Sequence, residues 1–485
     1  MKNFLMMVAV VGMFFVQGMA NDHTSAKIDG SVMFGIDPAR NMVSYETNLP
    51  TTWDPETGEN IKWTAALGSQ TYTNPLIIGG KVFIATNNEG LRNPKLTGDR
   101  GNIMAFSEDK GEFLWQATHE KLPAGIVNDW PLQGICSTPF IEGDRLYYVS
   151  NRCEVLCIDT EGFRDGENDG PYQDEAETSD IDFDIIWKLD MMEELDVFPH
   201  NLAAGSPIVV GDLLFTVTGN GVDESHILLP SPAAPSFIAL NKHTGELVWE
   251  DAKPGEEILH GTWSNPAYAE INGVPQVIFP GGDGWLYSFK PEDGELIWKF
   301  DCNPKDSKWE LGGAGTRNNL ISTPVIVDNI VYLGVGQDPE HGEAPGHLYA
   351  IDPKKGGGTG DITGKSEVWR VEGEEFNRTI SSAAIMDGLM LITDLSGFLY
   401  CLNLETGEKY WTYDTFAAIW GSPFIADGKV YLGDEDGDIV VLKASKEEEL
   451  LHEVNMGSAV YSTPVASNGV LYIASRTTLF AIENK

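Results

Sequence analysis

The chain carries a short pattern of apolar and polar positions that recurs eight times along its length. Each copy begins with Ser-x-Pro or a close variant, runs through three mostly apolar residues into a two-residue polar turn, and continues as a second apolar stretch. The prolines are Pro75, Pro139, Pro207, Pro266, Pro324, Pro423 and Pro464, with Ala383 in the remaining copy. The turns are Gly79-Gly80, Gly143-Asp144, Gly211-Asp212, Asn272-Gly273, Asp328-Asn329, Asp387-Gly388, Asp427-Gly428 and Asn468-Gly469. Gly, Asn and Asp tolerate the positive φ angles of such turns, so each copy is predicted to open with a β-hairpin.

The second half of each copy predicts two further strands. Turns such as His243-Thr244-Gly245-Glu246 and Glu405-Thr406-Gly407-Glu408 separate a third strand from a fourth. The fourth strands carry Trp115, Trp187, Trp249, Trp298, Trp369 and Trp411. We expect these large rings to pack between neighbouring units. Four antiparallel strands repeated radially are the arrangement of a β-propeller, in which each unit is one blade.

The order of strands at the two ends of the chain predicts how the ring closes. The last copy stops after its third strand, at residues 478–482, whereas residues 59–63 have the pattern of a fourth strand with no three before it. The N-terminal strand is expected to complete the last blade, because a closed ring leaves no sheet edge exposed. The sequence thus predicts an all-β fold, an eight-bladed β-propeller of four-stranded antiparallel blades over residues 59–485, preceded by an N-terminal extension at 21–58.

Residues 1–20 have the pattern of a secretory signal peptide. Lys2 supplies a positive charge, the apolar run from Phe4 to Val16 is too short to span a bilayer, and Gly18-Met19-Ala20 places small residues where signal peptidase cuts. No Cys follows the apolar run, so no lipid-attachment box is expected. We expect cleavage near Ala20 and a periplasmic or secreted protein, and an uncleaved membrane anchor is the alternative.

The net charge narrows the classes of partner, and the cysteine count limits the possible disulfides. The chain has 73 Asp and Glu against 32 Lys and Arg, a formal net charge of −41. Such a surface repels nucleic acid and anionic lipid, so neither is expected as a partner. Export permits disulfides, but the five cysteines leave at least one thiol unpaired. We expect a monomer without a membrane span.

Strand alternation divides the connections of a propeller between two faces. The loops between blades and the loops between second and third strands share one face, here called the long-loop face. Its insertions are 89–101, 116–134, 188–204, 219–236, 302–320 and 337–346. Because functional loops collect on one side of a rigid scaffold, we expect a protein partner or a small-molecule ligand to bind there.

The residues that enter the innermost strands should ring the mouth of the central channel on this face. They are Gln70, Trp130, Gln133, His200, Asn201, His260, Trp263, Arg317, Asn318, Asn319, Arg378, Trp420 and Tyr461. Flat aromatic rings, amides and two Arg would suit a planar, anionic or polar ligand. Trp263, Arg317, Asn318, Arg378 and Trp420 are therefore the candidate cofactor-binding residues. The alternative is a solvated funnel in which the Arg side chains offset acidic charge.

Two polar segments contain the side-chain types that bind metal ions. Asp165, Glu167 and Asp169 alternate like the first half of a calcium-binding loop, although its twelfth position is Ala176 rather than Glu. These three carboxylates, in an acidic insertion on the opposite face, are the candidate calcium ligands, and a solvated surface is the alternative. A second segment, 337–343, offers an Asp, a His and two Glu.

The repeat resembles that of pyrroloquinoline quinone (PQQ) proteins, the quinoprotein alcohol dehydrogenase-like family. Its G-x-L-Y-A-h-D string (h, an apolar residue) is matched by Gly346-His347-Leu348-Tyr349-Ala350-Ile351-Asp352 and by Gly397-Phe398-Leu399-Tyr400-Cys401-Leu402-Asn403. The resemblance covers residues 59–485 and implies the propeller fold. PQQ-dependent dehydrogenases share it with the BamB-like propeller of the outer-membrane assembly machine. Residues 260–264, 281–285 and 337–342 also resemble exported PQQ-like propellers of unassigned role.

The resembling proteins include dehydrogenases and an assembly scaffold, and hallmark residues distinguish the two. The dehydrogenases have an adjacent Cys-Cys disulfide opposite a Trp, with a calcium-binding Glu/Asn/Asp set and a catalytic Asp. Trp263 or Trp420 could supply the Trp, but this chain has no Cys-Cys pair. We therefore expect a binding or assembly scaffold of the cell envelope, with a PQQ- and Ca²⁺-dependent alcohol or sugar dehydrogenase as the alternative. The aromatic mouth would also suit a polysaccharide partner.

Overall fold

The computed structural model describes residues 30–337, 341 and 344–485, which form eight sheets arranged as the blades of a propeller. Each blade has four antiparallel strands, and two blades gain a further two-residue strand. The predicted all-β, eight-bladed architecture is therefore confirmed. The predicted signal peptide, residues 1–20, lies outside the described residues.

The first four blades follow the chain in order, from the innermost strand to the outermost. Blade 1 consists of Leu76–Ile78, Lys81–Asn87, Arg100–Ser107 and Phe113–Glu120. Blade 2 consists of Phe140–Glu142, Arg145–Val149, Glu154–Asp159 and Ile185–Asp190. Blade 3 consists of Ile208–Val210, Leu213–Val217, Phe237–Asn241 and Leu247–Asp251. Blade 4 consists of Ala267–Ile271, Val274–Pro280, Trp285–Phe289 and Leu296–Asp301.

The remaining blades continue around the ring. Blade 5 consists of Val325–Val327, Ile330–Val335, Pro345–Ile351 and Glu367–Asn377. Blade 6 consists of Ala384–Met386, Leu389–Thr393, Phe398–Asn403 and Lys409–Asp414. Blade 7 consists of Phe424–Ala426, Lys429–Gly433, Asp438–Lys443 and Leu450–Asn455. Blade 8 consists of Val465–Ser467, Val470–Ala474, Thr478–Ile482 and, from the N-terminal side, Ile61–Ala66.

A few short elements complete the described structure. Val43–Ser44 pairs in parallel with the innermost strand of blade 7, and Gly360–Asp361 pairs in parallel with the outermost strand of blade 4. One α-helix, Met191–Leu195, follows blade 2 within the described ranges. The 3₁₀ turns are Gly125–Val127, Gly162–Asp165, Gly255–Glu257 and Leu311–Gly313. None of the helices in the described residues is long and apolar enough to cross a membrane.

The ring closes through a strand borrowed from the start of the chain. Ile61–Ala66 runs antiparallel to Thr478–Ile482, with Trp63 opposite Ala481 and Thr64 opposite Phe480. The outermost position of blade 8 is thus filled from a segment more than 400 residues away in sequence. This confirms the predicted closure of the last blade.

Tryptophans from the outermost strands of blades 1, 2, 3, 5, 6 and 8 donate hydrogen bonds to the following blade. The indole N–H of Trp249 donates to Pro291 O of the following blade at 2.7 Å. Trp63, Trp115, Trp187, Trp369 and Trp411 make the corresponding bonds, to Glu108, Thr160, Lys242, Leu404 and Ser445. Trp298 differs, because its indole N–H donates to Gln276 Oε1 inside its own blade. The turn glycine of the next blade lies against the indole face, so a Cβ at Gly245 would be 2.5 Å from Trp187.

The residue before each Pro, or before Ala383, links neighbouring blades around the channel. The eight residues are Asn74, Thr138, Ser206, Asn265, Thr323, Ser382, Ser422 and Thr463, and we call them the belt. Seven side-chain hydrogen bonds join successive members, and the joint between Thr323 and Ser382 is the one not bridged in this way within the described residues. The small polar residue at the centre of Ser-x-Pro therefore holds the blades in register.

The N-terminal extension runs through the central channel. Its backbone or side chains bond Ile77, Ile141, Pro207, Tyr268, Ile326, Ile385 and Ile425, which lie in or beside the innermost strands of blades 1 to 7. Arg40 is fully buried, and its guanidinium donates to the carbonyl oxygens of Phe34, Ser206, Pro207 and Pro266. Burial lowers the pKa of Arg40 to about 9 although Asp37 opposes the shift, so the side chain stays charged at neutral pH. Residues 31–44 thus fill the channel on the side away from the long loops.

Candidate functional site

Hydrogen bonds and close contacts join the six insertions of the long-loop face into one layer. Leu132 N donates to Asp99 Oδ2 at 2.8 Å, Trp130 N to Asn201 O at 2.7 Å, and His200 N to Gly219 O at 3.0 Å. Further along, Gln337 Nε2 donates to Gly313 O at 3.2 Å. Gly312 lies so close to His226 that a Cβ at this glycine would be 2.7 Å from His226 O. The insertions are therefore neighbours on one face, as strand alternation predicts.

An apolar ring surrounds the channel mouth on this face. The residue four positions before each innermost strand is half-buried in all eight blades. These residues are Tyr72, Cys136, Ala204, Trp263, Ile321, Ile380, Trp420 and Tyr461, and we call them the mouth ring. None carries a formal charge at neutral pH, although the chain as a whole is strongly acidic. The mouth therefore offers apolar and aromatic surface to whatever binds there.

Three aromatic side chains form one side of the mouth ring. Tyr72 and Tyr461 stack with ring centroids 5.1 Å apart and an interplanar angle of 13°. Trp420 packs against both, at 6.1 Å from Tyr72 and 5.1 Å from Tyr461. Burial raises the pKa of Tyr72 above its usual range, so its hydroxyl is neutral at physiological pH. Trp263 stands apart from this cluster, beside His200 and His260.

The polar candidates for cofactor binding are engaged within the protein. Arg317 Nη2 lies 2.6 Å from Asp301 Oδ1, and Arg317 Nε donates to Asp283 O at 2.6 Å. Arg378 Nε donates to Asn318 Oδ1 at 2.9 Å, and both residues are buried. The structure thus brings Arg378 and Asn318 together but directs Arg317 to an internal carboxylate.

These residues do not fit PQQ with Ca²⁺ in the arrangement described. An anionic quinone needs cationic or N–H donors, and Ca²⁺ takes about six to eight oxygen ligands. The guanidinium of Arg317 is paired with Asp301, and that of Arg378 is bonded to Asn318. Asp283 accepts the hydroxyl of Tyr287 at 2.6 Å, and burial raises the pKa of Asp283 to about 6.

Three imidazoles converge on the other side of the mouth. Nε2 of His226 lies 3.2 Å from Nε2 of His200 and 3.2 Å from Nε2 of His260. The ligand atoms of all three lie within 4.8 Å of one another. His200 and His260 are buried and His226 is half-buried. We call these residues the histidine triad.

The backbone around the triad leaves room for the rings. A Cβ at Gly221 would lie 2.7 Å from His200 Cβ, and one at Gly261 would lie 2.4 Å from the Trp263 indole.

His226 adopts a positive φ of 59°, a conformation that non-Gly residues rarely take and that clusters at functional sites. Its turn is held by Asp223, whose side chain accepts from Ser225 Oγ and from two backbone N–H groups. These hydrogen bonds, first that of Ser225, lower the pKa of Asp223.

A fourth imidazole, His341, adjoins the triad. Its ring centroid is 4.9 Å from that of His260, and its Nε2 lies 2.8 Å from Gly312 O. The sequence pattern predicts His200 and His260 at the mouth, but it does not bring His226 to them. The available signal was that all three histidines fall on loops of the predicted long-loop face: His200 and His226 on insertions and His260 on the connection between blades 3 and 4.

The other predicted metal ligands lie away from this site. Asp165 and Glu167 are exposed, and Asp165 Oδ1 accepts from Glu167 N within its own turn. Asp169 is half-buried, with Oδ2 3.7 Å from Arg145 Nη2. A calcium site there stays a prediction. In the second acidic segment, 338–340 and 342–343 lie outside the described residues. All five cysteines are described, and each carries a free thiol.

Comparison with known proteins identifies the family. The family model described as outer membrane protein assembly factor BamB matches residues 184–339 and 344–485, more than half of the chain. The chain belongs to the BamB family. Among curated relatives of this BamB-family protein, outer membrane protein assembly factor BamB of Legionella pneumophila (strain Paris) is 22% identical over 194 residues. That match spans 39% of this chain and 44% of the relative.

Solved structures share the propeller fold with this BamB-family chain. BamB from Moraxella catarrhalis matches with a TM-score of 0.52 and 14% identity, over 87% of this chain and 96% of that one. A europium-containing methanol dehydrogenase matches with a TM-score of 0.60 and 13% identity, over 92% of this chain and 90% of that one. At such identities the likeness shows the fold alone.

Proposed function

We propose that this BamB-family propeller is an exported binding scaffold of the cell envelope that docks a protein partner on its long-loop face. The observation that carries the proposal is the distribution of exposed large apolar side chains. Among the described residues, seven of them lie on loops of this face: Leu91, Ile126, Leu132, Ile227, Leu228, Trp309 and Phe416. Phe416 is 88% exposed and Ile227 is 72% exposed.

Such side chains are unfavourable in water unless something covers them. Clusters of exposed apolar residues rimmed by polar ones are typical of protein–protein interfaces, where aromatic residues are also enriched. Here they surround an apolar mouth ring in a chain whose net charge is −41. The family name describes an outer membrane protein assembly factor, which favours a protein partner over a small molecule. The predicted signal peptide favours an envelope location.

Site-specific photocrosslinking in the native host tests the proposal. A photoreactive amino acid is placed singly at Ile227 and Phe416, and at Val248, which is 45% exposed on the outermost strand of blade 3, as the matched control. We expect adducts of defined mass from Ile227 and Phe416 in the envelope fraction, and no such adduct from Val248. Recovery of the protein in the cytoplasm, or adducts from Val248 alone, would contradict the proposal.

A parallel assay addresses the dehydrogenase alternative. Purified protein is incubated with PQQ and Ca²⁺, and dye reduction is followed across alcohols and sugars. The binding scaffold predicts no turnover above that of free PQQ. Substrate-dependent dye reduction by the protein would replace the scaffold with a catalytic role.

A further inference from the structure

We propose that His200, His226 and His260 bind one divalent transition-metal ion at the channel mouth, with Zn²⁺ as the expected ion. The inference does not depend on the proposed docking function, since it rests on the geometry of the histidine triad alone. Three imidazole nitrogens meet at one point, and they come from three separate long-loop segments that pack tightly against one another. Imidazole ligands suit Zn²⁺, Cu²⁺ and Ni²⁺, whereas Ca²⁺ and Mg²⁺ take oxygen ligands.

The distances between the imidazole nitrogens of the triad suit a shared metal ion. Two Zn–N bonds of about 2.05 Å at a tetrahedral angle place their nitrogens about 3.3 Å apart. His226 Nε2 is 3.2 Å from Nε2 of each of the other two residues. The third separation is within 4.8 Å, so a modest inward turn of the His200 and His260 rings completes the geometry.

The hydrogen bond made by His200 determines which of its ring nitrogens carries the lone pair. A carbonyl oxygen only accepts, so the Nδ1–H of His200 donates to Val222 O at 2.8 Å. In the neutral ring, Nε2 then carries a lone pair that faces His226. Donation of the second ring N–H to a carbonyl is the usual outer support of a metal-binding histidine, because it fixes the tautomer and the orientation of the ring.

The surroundings of the triad favour a cation. The chain carries a net charge of −41, which raises the local concentration of cations near its surface. His200 and His260 are buried, so two ligands are held rigidly, whereas His226 is half-buried. Three histidines with a fourth position for water or a bound anion are the ligand set of open zinc sites.

Cobalt titration tests the site directly. The full chain is purified with a tag free of histidine, stripped with a chelator, and titrated with Co²⁺ while the visible d–d absorption is recorded. We expect one saturable equivalent of Co²⁺, displaced by Zn²⁺ and unaffected by excess Ca²⁺. Absence of a saturable band in the wild-type protein would overturn the proposal, because the triad would then be a hydrogen-bonded cluster without metal.

Matched variants assign the ligands. His226→Ala should weaken Co²⁺ binding by at least about 100-fold, since loss of an outer partner alone costs about 10- to 100-fold. His243→Ala is the control, because His243 lies in an exposed turn and pairs with Asp212. Circular dichroism and melting establish that both variants fold, and His226→Gln replaces the alanine variant if it does not. X-ray absorption of the wild-type zinc complex should show three imidazole ligands at about 2.0 Å. Unchanged affinity in the folded His226 variant, or an oxygen-only shell, would contradict the assignment.

Discussion

The backbone N–H of Thr463 donates a 2.9 Å hydrogen bond to Oδ1 of Asn74 across the joint between the last blade and the first. The two residues are 389 positions apart in sequence and both are buried. The ring is also closed further out, within blade 8, where the N-terminal strand Ile61–Ala66 pairs with Thr478–Ile482. A backbone ladder and a side-chain bond therefore close the ring at two different radii.

Asn74→Ala should weaken this joint. The substitution leaves the N–H of Thr463 buried without its acceptor, so we expect the free energy of unfolding to fall by about 1–3 kcal/mol. Asn484→Ala is the control, because Asn484 likewise bonds a residue far away in sequence, Asn48, but is exposed, and its loss should change stability by less than about 0.5 kcal/mol. Urea denaturation measures both. Equal effects of the two substitutions would show that the belt contributes nothing at this joint.

A pair of glycine substitutions separates backbone strain from contact with the inter-blade tryptophans. Gly211 and Gly245 both have positive φ, 61° and 75°, but a Cβ at Gly211 meets nothing within 4 Å whereas one at Gly245 would lie 2.5 Å from Trp187. Gly211→Ala should destabilise by about 1 kcal/mol through strain alone. Gly245→Ala should cost about 1–3 kcal/mol more, because the indole must move. Thermal melting compares them, and equal losses would mean that Trp187 yields freely.

Arg40 should anchor the N-terminal extension in the channel. Its guanidinium donates to four carbonyl oxygens and is fully buried, so Arg40→Ala leaves those acceptors without a donor. We expect a loss of about 3–5 kcal/mol in the free energy of unfolding, with Arg40→Lys intermediate because Lys has fewer donors. Arg370→Ala, at an exposed pair with Glu372, is the control and should have little effect. A small loss for Arg40→Ala would show that the extension is dispensable for stability.

Asp283 gives stability a defined pH dependence. Burial raises the pKa of Asp283 to about 6 in the folded protein, against 3.8 for the ordinary side chain. The folded state therefore binds this proton more tightly than the unfolded chain, and stability falls as the pH rises from about 4 to about 6. The change attributable to this group is about 2–3 kcal/mol. In Asp283→Asn that contribution disappears, so the difference between wild type and variant should vary with pH in this window and be constant above it. Denaturation at several pH values measures the difference, and a pH-independent difference would contradict the raised pKa.

The repeated elements of the fold were predictable because they depend on local chemistry. A two-residue turn needs residues that tolerate positive φ, and the alternation of strands then follows along the chain. The repeat pattern likewise predicted the tryptophans between blades and the N-terminal strand that closes the last blade. Trp298 packs as expected but bonds within its blade, where Gln276 offers an acceptor at 2.7 Å. That difference depends on a single neighbouring residue rather than on the repeat.

The features that escaped prediction depend on contacts between distant segments. Residues 31–44 bond the innermost strands mainly through backbone atoms, which leave no periodic signal in the side chains. The histidine triad needs the relative positions of three long-loop segments. Arg317 looked available to a ligand in the sequence, since nothing there showed that Asp301, 16 residues away, would pair with it.

The pairing of Arg317 with Asp301 leads to a prediction that distinguishes a role of Arg317 in stability from a role in ligand binding. The two side chains are 11% and 17% exposed, so their attraction is only weakly screened by water, and Arg317 also donates to Asp283 O. A double-mutant cycle of Arg317→Ala and Asp301→Ala should give a coupling free energy of about 1–3 kcal/mol. The control cycle uses Lys443 and Glu449, an ion pair more than 50% exposed on both sides, where we expect less than about 1 kcal/mol. Coupling as small as in the control would mean that Asp301 does not hold Arg317, which would make the guanidinium available to an anionic ligand at the mouth. Strong coupling would instead assign Arg317 to the stability of the 302–320 loop, the segment that packs against the histidine triad.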